Sequence, residues 1–304
     1  MTAPAPLTRR ALFSLAGVAG VAVAVAACTS DDQGATEPRS TPSTEAAGST
    51  PSAAAARVRR TEPATVPLAG GTTVTITGSG LADVTGVTVA GVQATDVQAS
   101  AGTVAFTVPH QATYTPGDAD VVLTGAAAAQ VATASLAYAV LTPVDRQLQY
   151  AMTYWEHYNT AEYGDMNSIG GDCANFVSQT LIARGWAQRA DWYSRDAGAD
   201  HTTTWTYCPS MDPWLIANAG TFGLTRRTLD DRDQVKIGDI VMWDWNQNGS
   251  PDHVTIVSEV SKDAAGKTLI KSASHNEDGP YRDLDEMITV QHPGGTAWFH
   301  TFDA

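Results

Sequence analysis

"GDIVMWDWNQNGSPDHVTIVSEV", residues 238–260, sets two runs of apolar and β-branched residues around a short polar segment. The runs "GDIVMWDW" and "HVTIVSEV" read as consecutive strands, and Asn248-Gly249 between them suits a tight hairpin turn. A further strand, "KTLIKSASH" (267–275), follows after "SKDAAG". Upstream lie two helical stretches. In "PVDRQLQYAMTYWEHYN" (143–159), Val144, Leu148, Ala151, Trp155 and Tyr158 recur at helical spacing, which predicts one buried face. In "GGDCANFVSQTLIARGW" (170–186), Asp172 suits the N-cap, Gly185 the C-cap and Arg184 the last turn. Helices first and an antiparallel sheet afterwards make an α+β plan for residues 142–304.

Cys173 opens that second helix, in a chain with only three cysteines. Phe176, Val177, Thr180 and Leu181 follow on its face, so the thiol heads a packing stripe. Unpaired N–H groups at a helix N-terminus stabilise a thiolate, whereas the charge of Asp172 opposes one. The helix alone is equally consistent with a core cysteine and a nucleophile. A nucleophile needs a base, and the base needs an orienting group. His253 opens the strand after the hairpin and is the candidate base, although a lone histidine there is commonly structural. His275 and Asn276 end the next strand as candidate orienters, and the alternation around Lys271 does not say which faces inward.

Taken together, "YNTAEY", "GGDCANFVSQTL", "TTTWTYCPSM", "GDIVMWDWNQNGSPDHVTIV" and "SASHN" resemble the putative amidase domain family, over about residues 144–300. That resemblance implies a papain-like cysteine hydrolase domain, akin to CHAP and NlpC-type cell-wall hydrolases. It implies Cys173 as nucleophile, His253 as general base and His275 as the orienting residue, with Asn276 in reserve. Asp172 would frame the nucleophile turn, and the Cys173 backbone N–H would serve an oxyanion hole. Cys208 stands where no functional thiol is expected and reads as a buried free cysteine. A Cys173–Cys208 disulfide would exclude the nucleophile reading.

The remaining motifs are less decisive. Asp244, Asn246, Asn248, Gly249 and Asp252 follow D-x-N-x-N-G-x-x-D spacing, like the start of a calcium loop. Thr255 stands where a closing Glu belongs, and a polar hairpin turn accounts for the same residues. The chemistry requires no cofactor; calcium here would be structural, holding His253 in place. Among the tryptophans from Trp186 to Trp214, Trp205 is the one expected to line a cleft, the others reading as packing.

Residues 62–141 change character: "GGTTVTITGSGL", "VTGVTVAGVQATDVQAS", "GTVAFTVP" and "ADVVLTG" are short Val/Thr/Ile runs divided by Gly and Pro. They predict a small antiparallel β-sandwich, and "PLAGGTTVTITGSGL" with "VTGVTVAG" resembles an IPT/TIG immunoglobulin-like domain. Residues 28–61, rich in Ser, Thr, Pro and Ala, read as a disordered tether. Residues 1–27 combine Arg9-Arg10 with an apolar stretch of small residues, an export signal of twin-arginine or general secretory type. Val25-Ala26-Ala27-Cys28 resembles a lipobox, which implies lipidation of Cys28 and membrane anchoring outside the bacterial cell; an ordinary signal peptide is the alternative.

The chain has 304 residues, 43% hydrophobic and 16% charged, with a net charge of −14. Such a chain builds a core and lacks the clustered cations that nucleic-acid binding needs. The expected function is an exported lipoprotein that cleaves an amide bond in peptidoglycan or a peptide. The alternatives are acyl transfer on the same residues and a catalytically silent wall-binding or adhesion lipoprotein.

Overall fold

The computed structural model describes residues 55–303. The export signal, Cys28 and the tether as far as residue 54 lie outside them. Residues 57–61, assigned from sequence to the tether, instead form with Glu62 the first strand of the β-domain. Their side chains are largely exposed on an edge, so no apolar run announces them.

The β-domain has nine strands: β1 (Arg57–Glu62), β2 (Thr65–Pro67), β3 (Thr73–Ser79), β4 (Gly86–Val89), β5 (Val92–Gln93), β6 (Thr95–Ala99), β7 (Thr103–Thr107), β8 (Gly117–Thr124) and β9 (Gln130–Ala139). One sheet runs β1-β3-β7-β6 and the other β2-β9-β8-β4-β5. The expected sandwich is present, with one departure: β2 pairs parallel to β9. Alternation along β3 and β7 sends Val74, Ile76, Val104 and Phe106 into the core and leaves threonines outside.

The second domain is mixed α/β. Its helical part holds α1 (Pro143–Tyr154), α2 (Thr160–Tyr163), α3 (Cys173–Arg184), the short pair β10 (Ser194–Arg195) and β11 (Asp200–His201), α4 (Thr203–Thr206) and α5 (Cys208–Ala217). Then come β12 (Leu224–Thr228), β13 (Ile240–Asp244), β14 (His253–Lys262), β15 (Thr268–Ser274), β16 (Gly279–Asp283) and β17 (Thr296–Phe302). They form an antiparallel sheet ordered β12-β17-β13-β14-β15-β16. The hairpin expected from residues 238–260 is its centre, with Ile240 opposite Ile256 and Trp243 opposite His253.

Three features hold this frame. Asp145 in the first turn of α1 accepts from the Leu141 and Thr142 N–H groups and from Ala69 N–H of the β-domain at 2.8 Å. One buried carboxylate thus caps a helix and joins two domains. A bulge leaves Ser258 out of the β14–β15 register, and its carbonyl accepts from Tyr114 Oη of the β-domain at 2.6 Å. Between the domains opens a cavity of about 730 Å³, edged by Gln93, His110, Glu259 and Lys262; neither Cys173 nor His253 lines it.

The third feature explains the Gly-Asp pair before β13. Gly238 has φ +89°, a backbone conformation that L side chains rarely adopt, so glycine is favoured there. Asp239 accepts from Lys236 N–H at 2.7 Å and Phe302 N–H at 2.9 Å, tying the start of β13 to the end of β17. Burial raises its carboxyl to about 6, against those hydrogen bonds. Because the folded value is raised, its contribution to stability is complete at low pH and is lost as pH climbs through about 6. The Asp239→Asn variant removes this titration. Its deficit relative to the parent in urea midpoints is therefore expected to shrink as pH rises from about 4 to about 6.

Candidate active site

Helix α3 is buried on every side over its first nine residues, Cys173 to Leu181. The expected amphipathic stripe is thus too narrow a description: the sheet covers one face and the α4–α5 segment another. Ser178 and Asn175 are buried with partners, Ser178 Oγ donating to the Trp205 carbonyl at 2.9 Å and Asn175 Oδ1 accepting from Trp205 Nε1 at 2.8 Å. Trp205, expected to line a cleft, is fully buried and serves as packing around α3. Trp192 and Trp214 stack beside it.

At the first turn, Asp172 sits at the expected N-cap position, yet its side chain does not cap the helix. It points inward. Its Oδ1 accepts from Met166 N–H at 3.0 Å and Asn175 Nδ2 at 2.9 Å, and its Oδ2 lies 2.6 Å from His275 Nδ1. The other nitrogen of His275 lies 2.7 Å from the Tyr154 carbonyl. Tyr158 stacks on this ring at 3.6 Å and Phe176 lies against it at 4.1 Å.

The cap is supplied from another strand end. Asn276, with φ +54°, accepts through Oδ1 from the N–H groups of Asp172 and Cys173, the latter at 3.0 Å. Its backbone N–H donates to Tyr158 Oη, and its Nδ2 donates to Asn167. Two expectations change here. His275 and Asn276 hydrogen-bond the α3 turn and not His253, because the chain turns at the end of β15 toward the helix N-terminus. The Cys173 N–H, expected to face an oxyanion, is engaged by Asn276.

Helix α3, headed by Cys173, packs against β14, headed by His253. The thiol is held well below the ordinary cysteine value, first by a hydrogen bond from Cys208, then by His253 and the Val254 N–H, against the opposing effect of burial. Cys208 is pushed the other way, first by its hydrogen bond with Cys173 and then by burial. The Cys208 thiol donates to the Pro251 carbonyl at 3.3 Å. The two cysteines are free and buried, which removes the competing disulfide reading for this state. His253 is buried, the Trp245 ring lies 6.1 Å away, and His253 Nε2 has no hydrogen-bond partner among the described residues.

The loop before His253 closes on itself. Asp244 accepts from the Asn248 and Gly249 N–H groups, Asp252 from Trp245 N–H, and Asn246 Oδ1 from Asn248 N–H. Its oxygens thus do the work of a polar hairpin turn. Among the described residues no group of three or more His, Cys, Asp or Glu side chains is arranged to hold a metal.

Cys208, Trp245, Tyr158 and Asn167 were absent from the sequence-based site. Tyr158, Cys208 and Trp245 did lie within the quoted motifs; Asn167 carries no local signal.

Comparison with known proteins places this geometry in context. Residues 144–299 match the putative amidase domain family and residues 56–139 the IPT/TIG domain. The chain belongs to the putative amidase domain family and carries an IPT/TIG domain before the amidase domain. A relative, the uncharacterized protein YhbB of Bacillus subtilis (strain 168), is 25% identical over 162 residues, 51% of this chain and 49% of that protein. The match thus spans about half the length of that relative. Among solved structures, an auxiliary nutrient binding protein from Bacteroides ovatus aligns over 28% of this chain and 21% of its own, at 21% identity and TM-score 0.22. The Bacteroides ovatus mixed-linkage glucan utilization locus protein SGBP-B aligns over 78% of this chain and 48% of its own, at 10% identity and TM-score 0.21. Similarity this low supports no conclusion about fold or function.

The Asp172–His275 contact yields a stability prediction. Removing His275 leaves a carboxylate fully buried without its partner, at a cost of about 3–5 kcal/mol. Urea denaturation of His275→Ala should show a loss of that size, and a loss below about 1 kcal/mol would contradict the role given to the pair.

Proposed function

We propose that this chain is an exported cysteine amidase of papain-like type, cleaving an amide bond in peptidoglycan or a peptide. The observation that carries this reading is the packing of the buried helix that Cys173 opens against the strand β14 that His253 opens. Membership of an amidase family supports the reaction class. The extracellular setting rests on the N-terminal sequence, with its paired arginines, apolar stretch and lipobox-like Val-Ala-Ala-Cys28.

Cys173 reacts as a thiolate, stabilised by the helix N-terminus, the Cys208 thiol and the Val254 N–H. His253 takes the thiol proton and Cys173 Sγ attacks the amide carbonyl carbon. The carbonyl oxygen, as it gains charge, replaces the Asn276 carboxamide at the Cys173 N–H. The carbon–nitrogen bond then breaks, and the departing amine receives its proton from His253. Water, deprotonated by the same imidazole, releases the carboxylic acid from the thioester. Asp172 and His275 act on the position of α3 and touch no reacting atom. The reaction needs no metal, and calcium in the 244–252 loop would act only on the shape of the turn.

Digestion of purified peptidoglycan and of peptide mixtures, with mass spectrometry of the products, tests the reading. Cys173→Ala is expected to abolish hydrolysis, and His253→Ala to reduce it by about 10²- to 10⁴-fold, with unchanged circular dichroism. Full activity in Cys173→Ala would refute the mechanism. Binding to peptidoglycan with no cleavage by the parent chain would favour a wall-binding lipoprotein.

A further inference from the structure

The first turn of α3 holds a carboxamide where a substrate carbonyl has to arrive. Asn276 Oδ1 accepts from both the Asp172 and the Cys173 N–H groups, the latter at 3.0 Å. Gly171, at φ +128°, lets the chain pass beside it, since a Cβ there would stand 3.0 Å from the same oxygen. The backbone bearing Asn276 is pinned. Asn276 and Glu277 have φ +54° and +84°, Ser274 Oγ donates to the Glu277 carbonyl at 2.8 Å, and Glu277 Oε1 lies 2.6 Å from His292 Nε2. The outer end of the carboxamide is held less firmly: Nδ2 donates to Asn167, an exposed residue, and Asn276 itself is half-buried. Asp172 has its own contacts with Met166, Asn175 and His275, none of which involves Asn276. Side-chain rotation alone therefore releases the carboxamide and leaves the α3 turn in place.

We propose that the Asn276 carboxamide is an autoinhibitory contact, a built-in competitor that occupies the Cys173 N–H in the resting protein and rotates away when a reacting carbonyl takes that N–H. This rests on the amidase reading and adds the regulation of the same site. A neutral amide oxygen of the substrate is no better an acceptor than the carboxamide oxygen it displaces, so the ground state gains nothing at this N–H. An oxyanion is the stronger acceptor, because charge-assisted hydrogen bonds are roughly twice as strong as neutral ones. The contact thus reserves the N–H for the anionic species formed when sulfur adds to a carbonyl carbon. Removing the carboxamide opens the N–H to every adduct, a gain of one net hydrogen bond, or about 2- to 10-fold in affinity.

The test uses the full chain and propionaldehyde isotope-labelled at its carbonyl carbon. The Cys173 thiol adds to that carbon: the S–C bond forms, the C=O π pair moves to oxygen, and the oxygen takes up the thiol proton to give a hemithioacetal. Carbon NMR titration of this signal, with Cys173→Ala as the blank for other nucleophiles, yields a dissociation constant. Asn276→Ala is expected to bind about 2- to 10-fold more tightly than the parent. Asn276→Asp keeps both acceptor bonds and strengthens them with charge, so it is expected to bind more weakly than the parent. The aspartate also preserves the cap on α3, so it decides the question where the alanine variant fails to fold. Equal or weaker binding by a folded Asn276→Ala, or equal or tighter binding by Asn276→Asp, would overturn the proposal. A signal that does not differ between the parent, Asn276→Ala and Cys173→Ala would refute Cys173 as the nucleophile and the proposal with it, which separates the two failures.

Discussion

A buried carboxylate sets the geometry on which everything else depends. Asp172 receives hydrogen bonds from the chain before it, from within α3 and from the end of β15 through His275, so the first turn of α3 cannot shift without breaking contacts on three elements. That turn carries Cys173. The cost of burying Asp172 is offset by a full complement of donors and by the His275 ring, itself held between Tyr158 and Phe176. The sulfur is consequently presented at a fixed point, and the hairpin carrying His253 is brought to it by the sheet.

The frame around this point is built from separate devices that converge. The β13–β14 hairpin positions His253, and Asp239 pins the same strand to β17. Asp145 and the Ser258 bulge fasten the β-domain to the back of this arrangement. The IPT/TIG domain is therefore bonded to the amidase domain at several places, and is more than a spacer on a string. Through Ser258 its contact reaches the strand that His253 begins.

Much of the fold was legible because it follows local periods. Alternation in residues 238–260 gave the central hairpin, Gly and Pro punctuation the β-sandwich, and Gly185 the left-handed end of α3. The helix start at Cys173 and the strand start at His253 were legible because both are marked by neighbouring residues. The rest depends on where chain segments meet. Asn276 caps a helix a hundred residues earlier in the chain, Asp172 turns away from the cap its position suggests, and Cys208 reaches Cys173 from another helix; no period or spacing encodes these contacts. Residues 57–61 were missed for the opposite reason, since an exposed edge strand has little hydrophobic pattern to read.

The central claim is that the Cys173 thiol is held well below the ordinary cysteine range, and it is tested most directly by ultraviolet titration of thiolate absorbance across the pH range, comparing the parent chain with Cys173→Ala. The account predicts a thiolate signal in the parent, missing from the variant, that appears at lower pH than that of an ordinary cysteine. A parent whose thiolate signal appears only in the alkaline range, matching the variant until then, would contradict it.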